Sequence, residues 1–192
     1  LHATETFTLC KKYVAPTIAL DESRHIGPVS REPAHLDDPA VLARLEAAET
    51  AFLATLSPAG APDVAHRGGP AGFLRPDAAH NRLSWHEFVG DGVFKSAGNI
   101  RAIPAMTLVV PDFSTGDAIA VMGRATYTTV RNERQEREDA LVQHRDDYPV
   151  QGLVECEVDQ VEWLRGLVRP RRRLERALKI TSRATTDAQA PQ

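Results

Sequence analysis

Apolar and polar positions alternate in short runs through the middle of the chain, and turn residues separate the runs. The first run, AFLATL at 51–56, is followed by Ser57-Pro58-Ala59-Gly60. Proline there fixes φ and glycine accepts a strained position, so a hairpin returning through 62–67 is predicted. Further strands are predicted at 73–75, 82–85, 106–110, 118–127 and 152–167. Strands this short, divided by turns, are typical of a β-barrel or sandwich.

A helical spacing of apolar residues replaces this alternation at two places. Asp38 suits the N-cap and Pro39 the first position of a short helix. Residues 93–103 show the same spacing, and Pro104 closes that segment. A third helix, charged and exposed, is predicted at 131–144.

The chain of 192 residues is long enough for one domain and too short to argue for two. We expect an irregular N-terminal arm at 1–37, the β-rich domain at 38–170, and a basic segment with a disordered tail at 171–192. No apolar run approaches the roughly 18 residues of a membrane span, and residues 1–5 do not start an export signal. These features predict a cytoplasmic protein without a membrane partner.

Several common site types are excluded by their spacing. Cys10 and Cys156 form neither a disulfide framework nor a paired-cysteine metal motif, and a reduced compartment is expected. His86-Glu87 lacks a second histidine four residues after the first, so no metal site is predicted. Gly90-Asp91-Gly92 lacks the third glycine of a dinucleotide loop, because Lys95 stands in its place.

Groups that suit a phosphate lie at one strand end and at one helix start. Arg67, Lys95 and Ser96 supply positive charge and hydrogen-bond donors. A helix start also directs free N–H groups and its positive dipole end at an anion. Gly68 and Gly69 let backbone come close to a ligand. Taken one at a time, these residues indicate only solvated charges and a turn.

In chain order, these features resemble the pyridoxamine 5'-phosphate oxidase-like family. The best-matching segments are PDVAHRGGPAGF at 62–73, KSAGNI at 95–100 and DFSTGD at 112–117. The resemblance extends over about 38–127, with looser agreement at 152–170. It implies a mainly β fold with a few helices, a six-stranded antiparallel split barrel of Greek-key topology that binds flavin mononucleotide (FMN).

The resemblance also implies a set of cofactor-binding residues. In the family, the equivalents of Ala65, His66 and Arg67 line the flavin, and the Lys95-Ser96 helix start meets its phosphate. Trp163 and Arg165 correspond to a tryptophan and an arginine near the flavin of the true pyridoxamine phosphate oxidases. The predicted cofactor-binding set is Ala65, His66, Arg67, Gly68, Gly69, Trp85, Lys95, Ser96, Asn99, Trp163 and Arg165. His66 is also the candidate catalytic residue, as a proton relay.

The substrate-binding Arg-Leu-His-Asp-Arg sequence of the true vitamin B6 oxidases is absent, which argues against that reaction. We expect an FMN-dependent oxidoreductase with a small-molecule substrate, its flavin bound at a homodimer interface. The alternative is a non-catalytic protein that binds flavin, a deazaflavin or haem. The basic run 169–176 is broken by Glu175 and holds no aromatic residue, so a solvated end or a subunit contact is favoured over nucleic acid.

Overall fold

Eight antiparallel strands form one curved sheet in the computed structural model, which describes residues 17–19, 27–90, 94–129 and 149–173. In chain order the elements are β1 (Thr17–Ala19), β2 (Ser30–Ala34), α1 (Pro39–Glu46), β3 (Thr50–Leu56), β4 (Pro62–Gly68), β5 (Leu74–Asp77), a 3₁₀ turn (Ala78–His80), β6 (Arg82–Phe88), α2 (Lys95–Ala102), β7 (Ala105–Pro111), β8 (Ala118–Thr129), β9 (Val150–Arg165) and β10 (Arg171–Arg173).

The strand order is β4-β3-β7-β8-β9-β6-β5, and β2 pairs with the C-terminal half of β9. A separate two-stranded sheet joins β1 to β10. The predicted fold class, mainly antiparallel β with a few helices, is confirmed. The main sheet has eight strands in the described residues, where six were predicted.

Side-chain alternation places the core on one face of this sheet. Leu53, Leu108, Val121 and Val161 lie in register across β3, β7, β8 and β9, and all four are buried. Because successive side chains of a strand point to opposite faces, their neighbours in sequence face outward. Burial therefore alternates along β3 and β7.

The N-terminal region supplies a helix that was predicted and two strands, β1 and β2, that were not. Asp38 caps α1 by accepting from the Ala40 amide at 2.8 Å, and the helix buries Val41 and Leu45 completely. Strand β2 lies within the arm predicted to be irregular. Four of its five residues are exposed, so no alternation marks it in the sequence. It is a strand because the edge of β9 provides its hydrogen-bond partners.

The helix predicted at 131–144 and the tail after Thr181 lie outside the described residues. No helix in the described part of the chain is both long and apolar enough to cross a membrane.

Candidate functional site

Strand β4 carries the predicted site residues on both of its faces. Ala65 pairs with Leu53 and Arg67 pairs with Ala51, and both β3 partners are fully buried. Ala65 and Arg67 therefore belong to the inner face. His66 lies between them and points to the outer face.

Arg67 is held by two acceptors inside the molecule. Its Nε donates to Glu87 Oε1 at 2.6 Å, and its Nη1 donates to the His66 carbonyl oxygen at 2.9 Å. The same Glu87 oxygen accepts the Trp85 indole N–H at 2.7 Å. We call this group the Glu87 clasp: Arg67, Glu87 and Trp85. It joins β4 to β6, two strands that are not hydrogen-bonded neighbours in the sheet.

The register explains why Glu87 is available to the clasp. The pairing of β5 with β6 starts at Leu74 opposite Trp85, so Glu87 extends beyond the end of β5 toward β4. Sequence reasoning placed Arg67 and Trp85 in the site but missed Glu87. Trp85 is two residues away on the same strand, but Arg67 is brought to Glu87 only by the closure of the sheet, so no local pattern marks the ion pair. Trp85 is 1% exposed and packs in the core rather than in an open cleft.

Helix α2 is anchored to the barrel by two polar contacts. Lys95 Nζ lies 3.2 Å from Asp63 Oδ1 on β4, and the Asn99 amide donates to Thr55 Oγ1 on β3 at 3.0 Å. Ser96, Asn99, Thr55 and Asp63 are all buried. Asn99 therefore has an internal partner that accounts for its position.

The start of α2 has no side-chain cap. The residue preceding the helix is Phe94, which makes no capping hydrogen bond and is exposed. The first helical residues are Lys95 and Ser96, two residues after the start that the spacing predicted at 93. The N–H groups of a helix's first turn, next to an ammonium group, are suited to an anion.

The two candidate phosphate-binding cations are held at separate points of β4. Lys95 is anchored at Asp63 of β4. Arg67 lies four residues further along the same strand, so the backbone positions of Asp63 and Arg67 are about 13 Å apart. Each cation is paired with a buried carboxylate, Asp63 or Glu87. Their charges therefore sum to zero.

Gly69 is explained by packing within the chain. A Cβ built on Gly69 would lie 2.7 Å from Cβ of Phe73 and 2.8 Å from Cε2 of Phe88. The space above this backbone is therefore filled by the protein's own side chains. Gly68 is buried and pairs with Thr50 at the end of β4.

His66 has a half-buried ring on the outer face of β4. Its ring meets Phe52 edge-on, with 5.8 Å between centroids. Burial, and then the neighbouring Arg67 charge, lowers the pKa of His66 below its usual value. Nε2 is buried and has no hydrogen-bond partner among the described residues. The imidazole is therefore neutral near pH 7, with one ring nitrogen unsatisfied.

Trp163 and Arg165 lie together near the C-terminal end of β9. The Arg165 guanidinium stacks over the Trp163 ring at 4.4 Å and bonds Glu32 and Asp117, each at 3.0 Å. Glu87 of the clasp pairs with Gly152 of β9, and Trp163 lies eleven residues further along that strand. The structure therefore does not bring this pair next to Arg67 through the sheet of one copy.

The described residues contain neither a reactive cysteine nor a group of side chains arranged as a metal site. Cys156 is fully buried, and burial raises the pKa of its thiol to about 12. A thiol that stays protonated is a poor nucleophile. No group of histidine, cysteine, aspartate and glutamate side chains in those ranges is arranged to hold a metal ion.

Neither a protein-family model nor a curated protein sequence matches the chain. Among solved structures, it is similar to a single-residue variant of HupZ from Group A Streptococcus, with 15% identity, a TM-score of 0.47, and coverage of 65% of this chain and 96% of that one. It is also similar to a pyridoxamine 5'-phosphate oxidase-related, FMN-binding protein from Nostoc punctiforme, with 16% identity, a TM-score of 0.45, and coverage of 69% and 85%. A third is HutZ, a haem storage protein from Vibrio cholerae, with 15% identity, a TM-score of 0.43, and coverage of 67% and 94%. Pyridoxamine 5'-phosphate oxidase-related structures are thus among those that the chain matches, and the likeness is one of fold.

Proposed function

We propose that this chain is an FMN-dependent oxidoreductase that acts on a small molecule and holds the cofactor phosphate at the start of α2. The observation that carries the proposal is the uncapped helix start at Lys95 and Ser96. The N–H groups of the first turn, the positive end of the helix dipole and the Lys95 ammonium are directed to the same end of the helix. These are the groups that a phosphate monoester requires.

The pairing of Lys95 with Asp63 is compatible with this assignment. An ammonium group has three N–H donors, so Lys95 is able to bind a phosphate oxygen while it keeps its bond to Asp63. Arg67 has five N–H donors, of which the clasp uses two with described acceptors. Lys95 and the α2 amides are therefore the primary phosphate ligands in this proposal, and Arg67 provides further donors along β4.

When bound, the isoalloxazine ring would carry the electrons, and the protein would supply binding, orientation and electrostatics. His66 has a neutral imidazole whose Nε2 has no partner among the described residues, and it would accept a proton there once the side chains that cover this atom moved aside. A neutral histidine is the usual side chain for moving a proton near pH 7.

A second copy of the chain would complete the cleft. Three apolar side chains on the outward positions of β3 and β4 are exposed: Phe52 by 37%, Leu56 by 36% and Val64 by 58%. We call these three residues the outer apolar face. Neighbouring exposed apolar side chains on one sheet face are typical of subunit contacts. In a homodimer, Trp163 and Arg165 of the partner subunit would approach the flavin.

Haem binding is the second candidate, and His66 is the observation that favours it. A neutral imidazole with an unpartnered nitrogen is a common haem ligand. Nε2 of His66 is nevertheless covered by the protein's own atoms, so iron would reach it only after neighbouring side chains moved. The start of α2 instead combines a cation with the N–H groups of a helix start, which suit a phosphate, and this is why we favour FMN.

Absorbance of the purified protein, followed by titration with FMN and riboflavin, tests the proposal. A visible flavin band is expected, whereas a Soret band would support haem. Lys95→Ala should weaken FMN binding strongly and leave riboflavin binding unchanged, because riboflavin lacks the phosphate. Arg82→Ala, at an exposed cation paired with Glu157 on β9, is the matched control. Unaltered FMN affinity in Lys95→Ala would refute the phosphate site.

Activity needs a separate test. Bound FMN should be reduced by a nicotinamide donor or reoxidised by an added acceptor with multiple turnovers. A protein that binds FMN stoichiometrically and supports no turnover with either kind of partner would instead be a flavin-binding protein without catalysis.

A further inference from the structure

We propose that Asp63 sets the affinity of the α2 site for phosphate, as a built-in competitor for Lys95. The inference rests on the function proposed above and assigns a role to a residue that the sequence did not single out. Asp63 is 9% exposed and its carboxylate lies 3.2 Å from the Lys95 ammonium. It is thus the anion already bound by the cation that the phosphate needs.

Burial fixes this carboxylate in place. A buried charge is unfavourable unless it stays paired. Moving Lys95 away from Asp63 would therefore leave a buried carboxylate without its cation, which is energetically costly. An incoming phosphate therefore shares the ammonium with Asp63 rather than displacing it. The two anions are then held within a few ångströms of each other around one nitrogen.

The charges at the site show the consequence. Lys95 and Asp63 together are neutral, so the dianion is attracted chiefly by the partial positive charge of the helix start, equivalent to roughly half an elementary charge. Like charges at this range repel by an amount that corresponds to about tenfold or more in affinity. Asp63 therefore reduces discrimination in favour of the phosphorylated flavin.

Asp63→Asn tests this role because asparagine has almost the same shape and its amide oxygen is able to accept from Lys95. We expect Asp63→Asn to bind FMN about tenfold or more tightly than the unaltered chain, with riboflavin affinity unchanged. FMN affinity in the variant should also fall more steeply with added salt, since the site gains net positive charge. Asp63→Ser carries the same prediction if the asparagine variant does not fold.

Glu157→Gln is the control, because Glu157 also pairs with a cation, Arg82, but on the exposed surface of β9 and β6. It should change neither affinity. Unchanged FMN affinity in Asp63→Asn would overturn the inference. Weaker FMN binding with unchanged riboflavin binding would also overturn it, because that result would show that Asp63 positions Lys95 favourably. An Asp63→Asn variant that still binds FMN no better than riboflavin overturns the phosphate site itself, and the inference with it.

Discussion

His66 illustrates how neighbours change the chemistry of one residue. The sequence indicates a polar side chain at a strand end. In the fold its ring lies edge-on to Phe52 beside the Arg67 charge, and both burial and that charge disfavour the imidazolium form. The proton-accepting role proposed for His66 depends on this neutral state.

Acidification should therefore destabilise the fold through His66. Its folded pKa is lowered below the unfolded value, so the unfolded chain binds more protons, and this contribution is present above about pH 6.5 and lost as pH falls through the folded pKa. Urea unfolding at about pH 7.5 and pH 5.5 measures this effect. The free energy of unfolding should differ less between the two pH values in His66→Gln than in the unaltered chain. His35→Gln, at an exposed histidine, is the control; an unchanged pH dependence in His66→Gln would contradict the expectation.

Gly69 is also decided by its surroundings rather than by the turn in which it stands. A Cβ there would overlap Phe73 and Phe88, whose side chains are buried. Gly69→Ala should lower the free energy of unfolding by about 1–3 kcal/mol, the usual range for overpacking. Gly27→Ala is the control, because a Cβ there meets nothing within 4 Å. Equal stability of the two variants would show that the phenylalanines make room freely.

At the scale of elements, the Glu87 clasp closes the barrel between β4 and β6. Breaking a buried pair by removing one partner leaves the other charge buried, which costs about 3–5 kcal/mol. Glu87→Leu should destabilise the protein by roughly this amount, and Glu87→Gln by less, since its amide oxygen still accepts from Trp85 and Arg67.

Chemical denaturation with tryptophan fluorescence measures this effect and reports on Trp85 directly. Glu157→Gln serves for comparison, because that carboxylate is 74% exposed and lies 3.8 Å from Arg82; such surface pairs contribute little. If Glu87→Leu and Glu157→Gln lost the same stability, the clasp would not be a tertiary anchor.

At the scale of the whole molecule, the outer apolar face predicts the state of assembly. Val64→Glu places a charge at the most exposed of its three residues, and a charge buried without a partner is unfavourable. The unaltered chain should sediment as a dimer and Val64→Glu as a monomer with reduced FMN binding. Ala79→Glu, at an exposed residue of the 3₁₀ turn between β5 and β6, should leave the dimer intact. A monomeric unaltered chain would contradict the proposed cleft.

Local patterns in the sequence were enough to predict the fold class and most of the elements. Short apolar runs between turn residues marked β3, β7 and β8, and the turn at 57–60 marked β4 as the returning strand. The Asp38–Pro39 pair marked the start of α1 because capping is a local hydrogen bond. The start of α2 at Lys95 was likewise close to the prediction.

Only the folded sheet determines which charged side chains form ion pairs. Arg67 and Glu87 are twenty residues apart, and neither this pair nor Lys95 with Asp63 has a local pattern. Strand β2 is also a tertiary product, since its exposed residues gain partners only from β9. The physical reason is common to all three: backbone preferences and burial act within a few residues, whereas ion pairs and edge pairing depend on which strands the closed sheet makes neighbours.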